Sequence, residues 1–393
     1  MRVYVAVLSG QLLPNIIPIL MNPPEQVIAF VSEGMQKAGK GQIFLELLKQ
    51  KGIPVTQFYG APVVGYPDIQ KFAWEAAERI TQEYPDADIV LNATGGTKLM
   101  TLAMVEAFRS VTSRIEYTDT GRRVIEIIPA KPDAPYVSEA MTQVLDVPTY
   151  LAIQGFRYLR ADSDETEWQN VAASRKSVTK YLAQHVVELE GLISVLNALA
   201  GKALLDKDAS TLVHPTQHLD SSRPVPHGLW QETLLRLQES GVLQWSAEDP
   251  YTLTFPNAKS ARFIRGGWLE EYVWHTLRDK ALHDVRLGVN GTWKRSGDSR
   301  NEFDVLATHF NAMLYIECKT GFRDEESDSD LSYKTKSLEQ GIRGLFGKTW
   351  VVSARAPSKN LQQRAELFGF QVITPEKIPH LRELVCKWAQ ETG

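Results

Sequence analysis

Residues 3–128 alternate short apolar runs with amphipathic stretches of helical length, and this alternation constrains the fold more than any other feature. The runs are VYVAVL, QVIAFV, PVTQFYG and ADIVLN, separated by segments that include IFLELLKQ and FAWEAAERITQEY. Short apolar strands set between amphipathic helices imply a parallel sheet covered on both faces by crossover helices. A hairpin, SRIEYTD/TG/RRVIEII, follows, and the domain is expected to end near Lys131 and Pro132. Ligands of such sheets sit at the carboxyl ends of the strands. Two loops leave those ends, residues 9–15 after the first strand and residues 93–98 after the fourth.

The second loop, Thr94-Gly95-Gly96-Thr97-Lys98, runs from a strand straight into a helical pattern carrying Leu99, Leu102, Ala103 and Val105. It lacks the early glycine and the Lys-Ser/Thr ending of a Walker A loop, and the chain has no GxGxxG fingerprint. ATP hydrolysis and redox catalysis thereby lose their strongest sequence support. What remains is an anion cradle of backbone N–H groups, the Thr94 and Thr97 hydroxyls and the Lys98 charge, all at a helix N-terminus.

The 393 residues suffice for two or three domains. A net charge of -4 gives no overall attraction to nucleic acid, so any such binding must come from local patches. The two cysteines, Cys318 and Cys386, supply neither a disulfide framework nor zinc spacing, which points to a reduced, cytoplasmic setting. LLPNIIPIL is too short and too Pro-broken to span a bilayer. Residues 150–262 read as long helices, a polar segment, then a helix with a hairpin, VLQW/SAEDP/YTLTF. That order suggests a winged-helix-like connector, with few basic residues on its helices. His214, His218 and His227 with Asp220 read as a polar linker, because Pro215 and Pro226 break any helix that would align them for zinc. Trp168, Trp230, Trp245 and Trp268 fall on apolar faces and read as core.

Residues 263–393 run helix, strand, hairpin, helix, strand, helix, and the hairpin NEFDVLATHFNAMLYIECKT carries chemistry. Along YIECK, Glu317 and Lys319 share one face, with Ile316 and Cys318 on the other, directed to the core. A turn centred on Phe310 and Asn311 sets Asp304 opposite Glu317, close enough for two carboxylates to share a divalent cation. Lys319 beside them can orient or help deprotonate a water and stabilise charge on a phosphate. The acidic run RDEESDSD after the hairpin reads as a solvated loop.

The D-x12-E-C-K spacing resembles the PD-(D/E)xK nuclease superfamily, with Phe303 in place of its proline. The resemblance implies catalytic Asp304, Glu317 and Lys319, and a further carboxylate from the preceding helix, Glu270 or its neighbour Glu271. The helix after the motif offers Lys336, Gln340 and Arg343, with Gln340 a candidate catalytic residue. Lys294, Arg295 and Arg300 are further candidates for phosphate contact. NATGGTKLM paired with SGQLLPN resembles the CARF domain, the Rossmann-like sensor of cyclic oligoadenylate. Taken together, the chain resembles the CARF-nuclease effectors of type III CRISPR systems. That resemblance implies an α/β fold of three parts: a CARF domain (1–149), a winged-helix-like connector (150–262) and a restriction-endonuclease-like domain (263–393). It implies ligand contacts from Ser9, Gly10, Gln11, Asn15, Thr94, Gly95, Gly96, Thr97 and Lys98. It also implies cyclic tetra-adenylate as activator, Mn²⁺ or Mg²⁺ held by Asp304, Glu317 and Glu270, a homodimer, and DNA or RNA as substrate. A second reading is a ligand-sensing regulator that binds nucleic acid without cutting it; in a third, the Rossmann-like domain degrades its own ligand.

Overall fold

The computed structural model describes residues 1–129, 135–205, 211–280, 282–293, 300–320 and 346–392. The chain divides into two compact units, one built mainly from residues 1–157 and the other mainly from residue 158 onward. The connector and nuclease stretches thus fall mainly within one unit.

The first unit holds a seven-stranded sheet of β1 (Arg2–Val7), β2 (Gln26–Val31), β3 (Val55–Tyr59), β4 (Asp88–Asn92), β5 (Arg114–Asp119), β6 (Val124–Ile128) and β7 (Val137–Ala140). Their order is β3-β2-β1-β4-β5-β6-β7. The first five are parallel, and β6 and β7 close the edge antiparallel. β1 lies between β2 and β4 and is buried on both faces from Val3 to Val7, as its unbroken apolar run requires. β7 was not expected; VSEA is too short and too polar to stand out as a strand, and the open edge of β6 recruits it. The helix Lys98–Phe108 also differs in its inward face. It buries Met100, Ala103, Met104, Ala107 and Phe108, while Leu99 and Leu102 are 42% and 61% exposed. A run so evenly apolar does not identify its own buried stripe.

In the second unit, helices Thr166–Gln184, Glu190–Ala203 and Leu229–Glu239 accompany a small sheet. That sheet is β9 (Thr216–His218), β10 (Gln244–Trp245) and β11 (Thr252–Thr254), ordered β10-β11-β9. β10 and β11 are the anticipated hairpin, and β9 adds His218 opposite Thr252. Trp245 and Trp268 are buried as expected, whereas Trp168 and Trp230 are half-buried.

The larger sheet contains β8 (Phe156–Ala161), β12 (Asp284–Trp293), β13 (Arg300–His309), β14 (Ala312–Lys319), β15 (Gly347–Ser353) and β16 (Gln371–Ile373), in the order β16-β15-β14-β13-β12-β8. β13 and β14 pair antiparallel from His309↔Ala312 to Val305↔Ile316. Their two-residue turn is Phe310-Asn311, with φ of 44° and 62°, the left-handed pair that matches the twist of a tight hairpin. β14 then pairs in parallel with β15, so both of its edges are paired, and its residues are buried on both faces from Ala312 to Cys318.

Candidate catalytic centre and ligand loops

The motif carboxylates meet at the end of the β13–β14 hairpin. Regular pairing stops at Val305↔Ile316. Beyond that point the Asp304 carboxylate takes over a backbone role, its Oδ2 accepting the Cys318 N–H at 2.7 Å. This bond pins Asp304 beside Glu317. Glu317 is only 1% exposed, so its face of the strand is as buried as the Ile316 face. Both of its oxygens are engaged: Lys319 Nζ donates to Oε1 at 2.5 Å, and the Tyr315 hydroxyl donates to Oε2.

The helix Trp268–Arg278 brings the third carboxylate. It follows Phe263–Gly267, a segment kinked at Gly266, whose φ of 159° is not helical. Trp268, Leu269 and Val273 anchor it in the core. Neighbouring helix residues diverge by about 100° around the axis, so Glu270 and Glu271 meet different partners. Glu270 joins the hairpin cluster. Its carboxyl is pushed well above the usual carboxylate range, first by burial and then by the charges of Asp304, Glu302 and Glu317. Glu271 turns to the helix Thr166–Gln184, where Arg175 Nε donates to its Oε2 at 3.3 Å and a second guanidinium nitrogen to Oε1. Burial drives Glu271 up to about 7, against the pull of Arg175. Arg175 also lies over the Phe263 ring, 4.5 Å from its centroid. The geometry therefore separates the two candidates that sequence left open.

Burial disfavours the Lys319 ammonium, yet Glu317 and Asp304 hold its pKa above the ordinary lysine value. Carboxylates this close oppose one another's ionisation, and at Glu270 burial adds to that opposition. Among the described residues, no three His, Cys, Asp or Glu side chains already stand at metal-ligating spacing. Lys319 supplies the positive charge instead. Glu302 was missed by sequence reasoning, although it is two residues before Asp304 on the same strand. Gln340, Lys336, Arg343, Lys294 and Arg295 lie outside the described residues; Arg300 is exposed at the start of β13.

In the first unit, β1 and β4 are neighbours, so the loops that follow them emerge side by side. Gly95 is required here: a Cβ on it would lie 1.8 Å from the Val7 carbonyl oxygen. Gly96 has φ of 84°, and its Cβ would lie 2.8 Å from the Val7 side chain. Asn92, unflagged by sequence, ties the two loops together. Its amide donates to the Pro14 carbonyl at 3.2 Å and to the Tyr4 hydroxyl at 3.1 Å, while its oxygen accepts the Thr94 N–H at 2.8 Å. Thr118 reinforces the tie, donating from its hydroxyl to Pro14 and from its N–H to the Thr94 hydroxyl.

The expected ligand residues separate by exposure. Gly10, Gln11, Thr97 and Lys98 are exposed, Ser9, Thr94 and Gly96 are half-buried, and Gly95 and Asn15 are buried. Asn15 is 0% exposed, and its amide donates to the Val7 carbonyl at 3.3 Å, supporting the loop from within. Ser9 donates to the Gln11 carbonyl, and Thr97 caps the helix by accepting the Met100 N–H. The exposed Lys98 therefore begins a properly capped helix whose first N–H groups face the strand ends.

Residues 3–150 match the family of the Card1 CARF domain, and residues 257–392 match that of the Card1-like endonuclease domain. No curated protein matches the chain. Among solved structures, VC1899 from Vibrio cholerae is similar over 100% of this chain and 99% of its own, at 21% identity and a TM-score of 0.84. Can2 from Sulfobacillus thermosulfidooxidans, solved in complex with cyclic tetra-adenylate, is similar over 99% of this chain and 97% of its own, at 23% identity and a TM-score of 0.76. A type III CRISPR defence DNA nuclease activated by cyclic oligoadenylate is similar over 91% of this chain but 46% of its own, at 16% identity and a TM-score of 0.51.

Proposed function

Because the chain belongs to the Card1 family of CARF nucleases, with a CARF domain at residues 3–150 and an endonuclease domain at 257–392, we propose that it is switched on by cyclic tetra-adenylate to cut nucleic acid in type III CRISPR defence. The observation that carries the catalytic part is the convergence of Glu270 with Asp304, Glu317 and Lys319, two elements far apart in sequence meeting at one charged cluster. The Can2 complex and the oligoadenylate-activated DNA nuclease support the choice of activator and pathway.

In this reading Asp304, Glu317 and Glu270 hold a divalent cation. Their hard oxygen donors suit Mg²⁺ or Mn²⁺. When bound, the cation supplies Lewis-acid stabilisation of the scissile phosphate and acidifies a water. Asp304 is oriented for this by the Cys318 N–H, and Lys319 stabilises negative charge developing on the phosphate. Any proton on Glu270 would have to leave before its carboxylate could hold the cation. Since its pKa is raised, the proton competes with metal over a wider pH range than at an ordinary carboxylate, near 4.3. Apparent Mn²⁺ affinity therefore climbs as pH rises from that value. Glu270→Gln weakens binding and flattens the climb, as calorimetry in buffers of different ionisation enthalpy checks.

The activator's phosphates are assigned to Lys98, the Thr97-capped helix N-terminus and the exposed part of the 9–15 loop. The ring would lie across a two-fold axis, each subunit of a homodimer giving half the contacts. Lys98→Ala should weaken cyclic tetra-adenylate binding by roughly tenfold, the value of one charge-assisted contact, and leave Mn²⁺ affinity unchanged.

The test mixes full-length protein with Mn²⁺ and labelled single- and double-stranded DNA and RNA, with and without cyclic tetra-adenylate. Cleavage only when the activator is present is the expected result. Equal cleavage without it removes the sensing role, and absence of cleavage in every combination removes the enzyme reading.

A further inference from the structure

Among the described residues, Glu317 accepts from two donors of different kinds, Lys319 and Tyr315, and the difference assigns a role to one of them. Lys319 reaches Oε1 from the edge of the strand, with its side chain 38% exposed. A lysine at the edge has the reach to turn toward a phosphate. Tyr315 is the opposite: 2% exposed, two residues earlier on the same face of β14, with only two rotatable side-chain bonds. Its ring is braced edge-on by Phe303, with centroids 5.6 Å apart and an interplanar angle of 81°. Phe303 occupies the position where the nuclease motif has its proline, so this departure from the motif lies directly behind Tyr315.

A carboxylate group turns easily about its last bond. Inside a covered sheet, with no water to replace a lost partner, a hydroxyl donating to one oxygen fixes the plane of the group. We propose that Tyr315 is the positioning residue of Glu317, holding Oε2 through its hydroxyl so that the carboxylate keeps one orientation toward the Asp304 and Glu270 side of the cluster when Lys319 turns to substrate. This rests on the reading of Glu317 as a cation-holding carboxylate.

The experiment measures Mn²⁺ binding by calorimetry on the full-length protein, with neither nucleic acid nor activator present, for wild type, Tyr315→Phe and Asp304→Ala. Partners of metal-ligating groups are typically worth 10–100-fold in affinity, so Tyr315→Phe is expected to weaken Mn²⁺ binding about tenfold. In cleavage assays with activator, its deficit should shrink as Mn²⁺ is raised, with KM for the nucleic acid unchanged. A purely packing role would lower the thermal midpoint of the metal-free protein and leave Mn²⁺ affinity at the wild-type value, and that result overturns the proposal. If Asp304→Ala binds Mn²⁺ as wild type does, the cation site itself is wrong; if Asp304→Ala loses binding and Tyr315→Phe does not, only the role of Tyr315 falls. Should Tyr315→Phe fail to fold, Phe303→Leu carries the test, because it loosens the brace without touching Glu317. A severalfold loss of affinity then supports the proposal, and unchanged affinity overturns it.

Discussion

Asp304→Ala is expected to abolish nucleic-acid cleavage, lowering the activated rate by about three orders of magnitude or more, or about 4 kcal/mol of transition-state stabilisation. The size follows from the two jobs one side chain performs. Asp304 accepts the Cys318 N–H at 2.7 Å, which sets the end of β14 on which Glu317 and Lys319 stand, and it contributes negative charge to the cluster that Glu270 completes. Alanine removes both. Asp304→Asn separates them, since its side-chain oxygen still accepts the backbone N–H while the charge is gone. Both variants should bind cyclic tetra-adenylate like wild type, as the 9–15 and 93–98 loops belong to the other compact unit. Radiolabelled-substrate cleavage together with ligand binding measures this, and activity of Asp304→Ala within tenfold of wild type would sink the assignment.

Glu271→Ala should give the largest loss of stability. Arg175 and Glu271 are 7% and 4% exposed and form a forked pair between two helices. Removing the carboxylate strands a buried guanidinium, at a cost of about 3–5 kcal/mol. For a unit of this size that lowers the thermal midpoint on the order of 10 °C. Activity falls with it, because the pair also fixes the rotation of the helix that presents Glu270 one residue earlier. Replacing both partners with apolar residues, Arg175→Met with Glu271→Leu, should recover much of the stability, since an uncharged pair of similar volume leaves no charge unpaired. A midpoint for Glu271→Ala within about 2 °C of wild type, which is less than about 1 kcal/mol, would mean that the pair contributes little.

Much of the site was legible because its residues lie close together in sequence. Phe310 and Asn311 sit between two apolar runs, so the hairpin turn could be placed, and with it the proximity of Asp304 to Glu317. The 93–98 loop was legible for the same reason, a strand, two glycines and a helix in succession. Less local features were not. Asn92 looks like any residue closing a strand, and its bonds to Pro14 and Tyr4 span 78 and 88 positions. The bond from the Asn15 amide to the Val7 carbonyl likewise depends on how the loop packs. The apolar pattern of this helix runs through Leu99 and Leu102, yet the helix buries its Met100 and Met104 side.

The sequence by itself determined the α/β class, the two loops at the ends of β1 and β4, and the placement of Asp304, Glu317 and Lys319 together on one hairpin. Hydrophobic periodicity and a two-residue turn act over a few positions, and that is the range over which sequence order and spatial order coincide. Only the tertiary structure decided that Glu270 rather than Glu271 faces the cluster and that Tyr315 stands behind Glu317. Two adjacent glutamates on a helix are equivalent until Arg175, 96 positions away, claims one of them. That choice depends on how helices pack, and packing is specified by the whole chain.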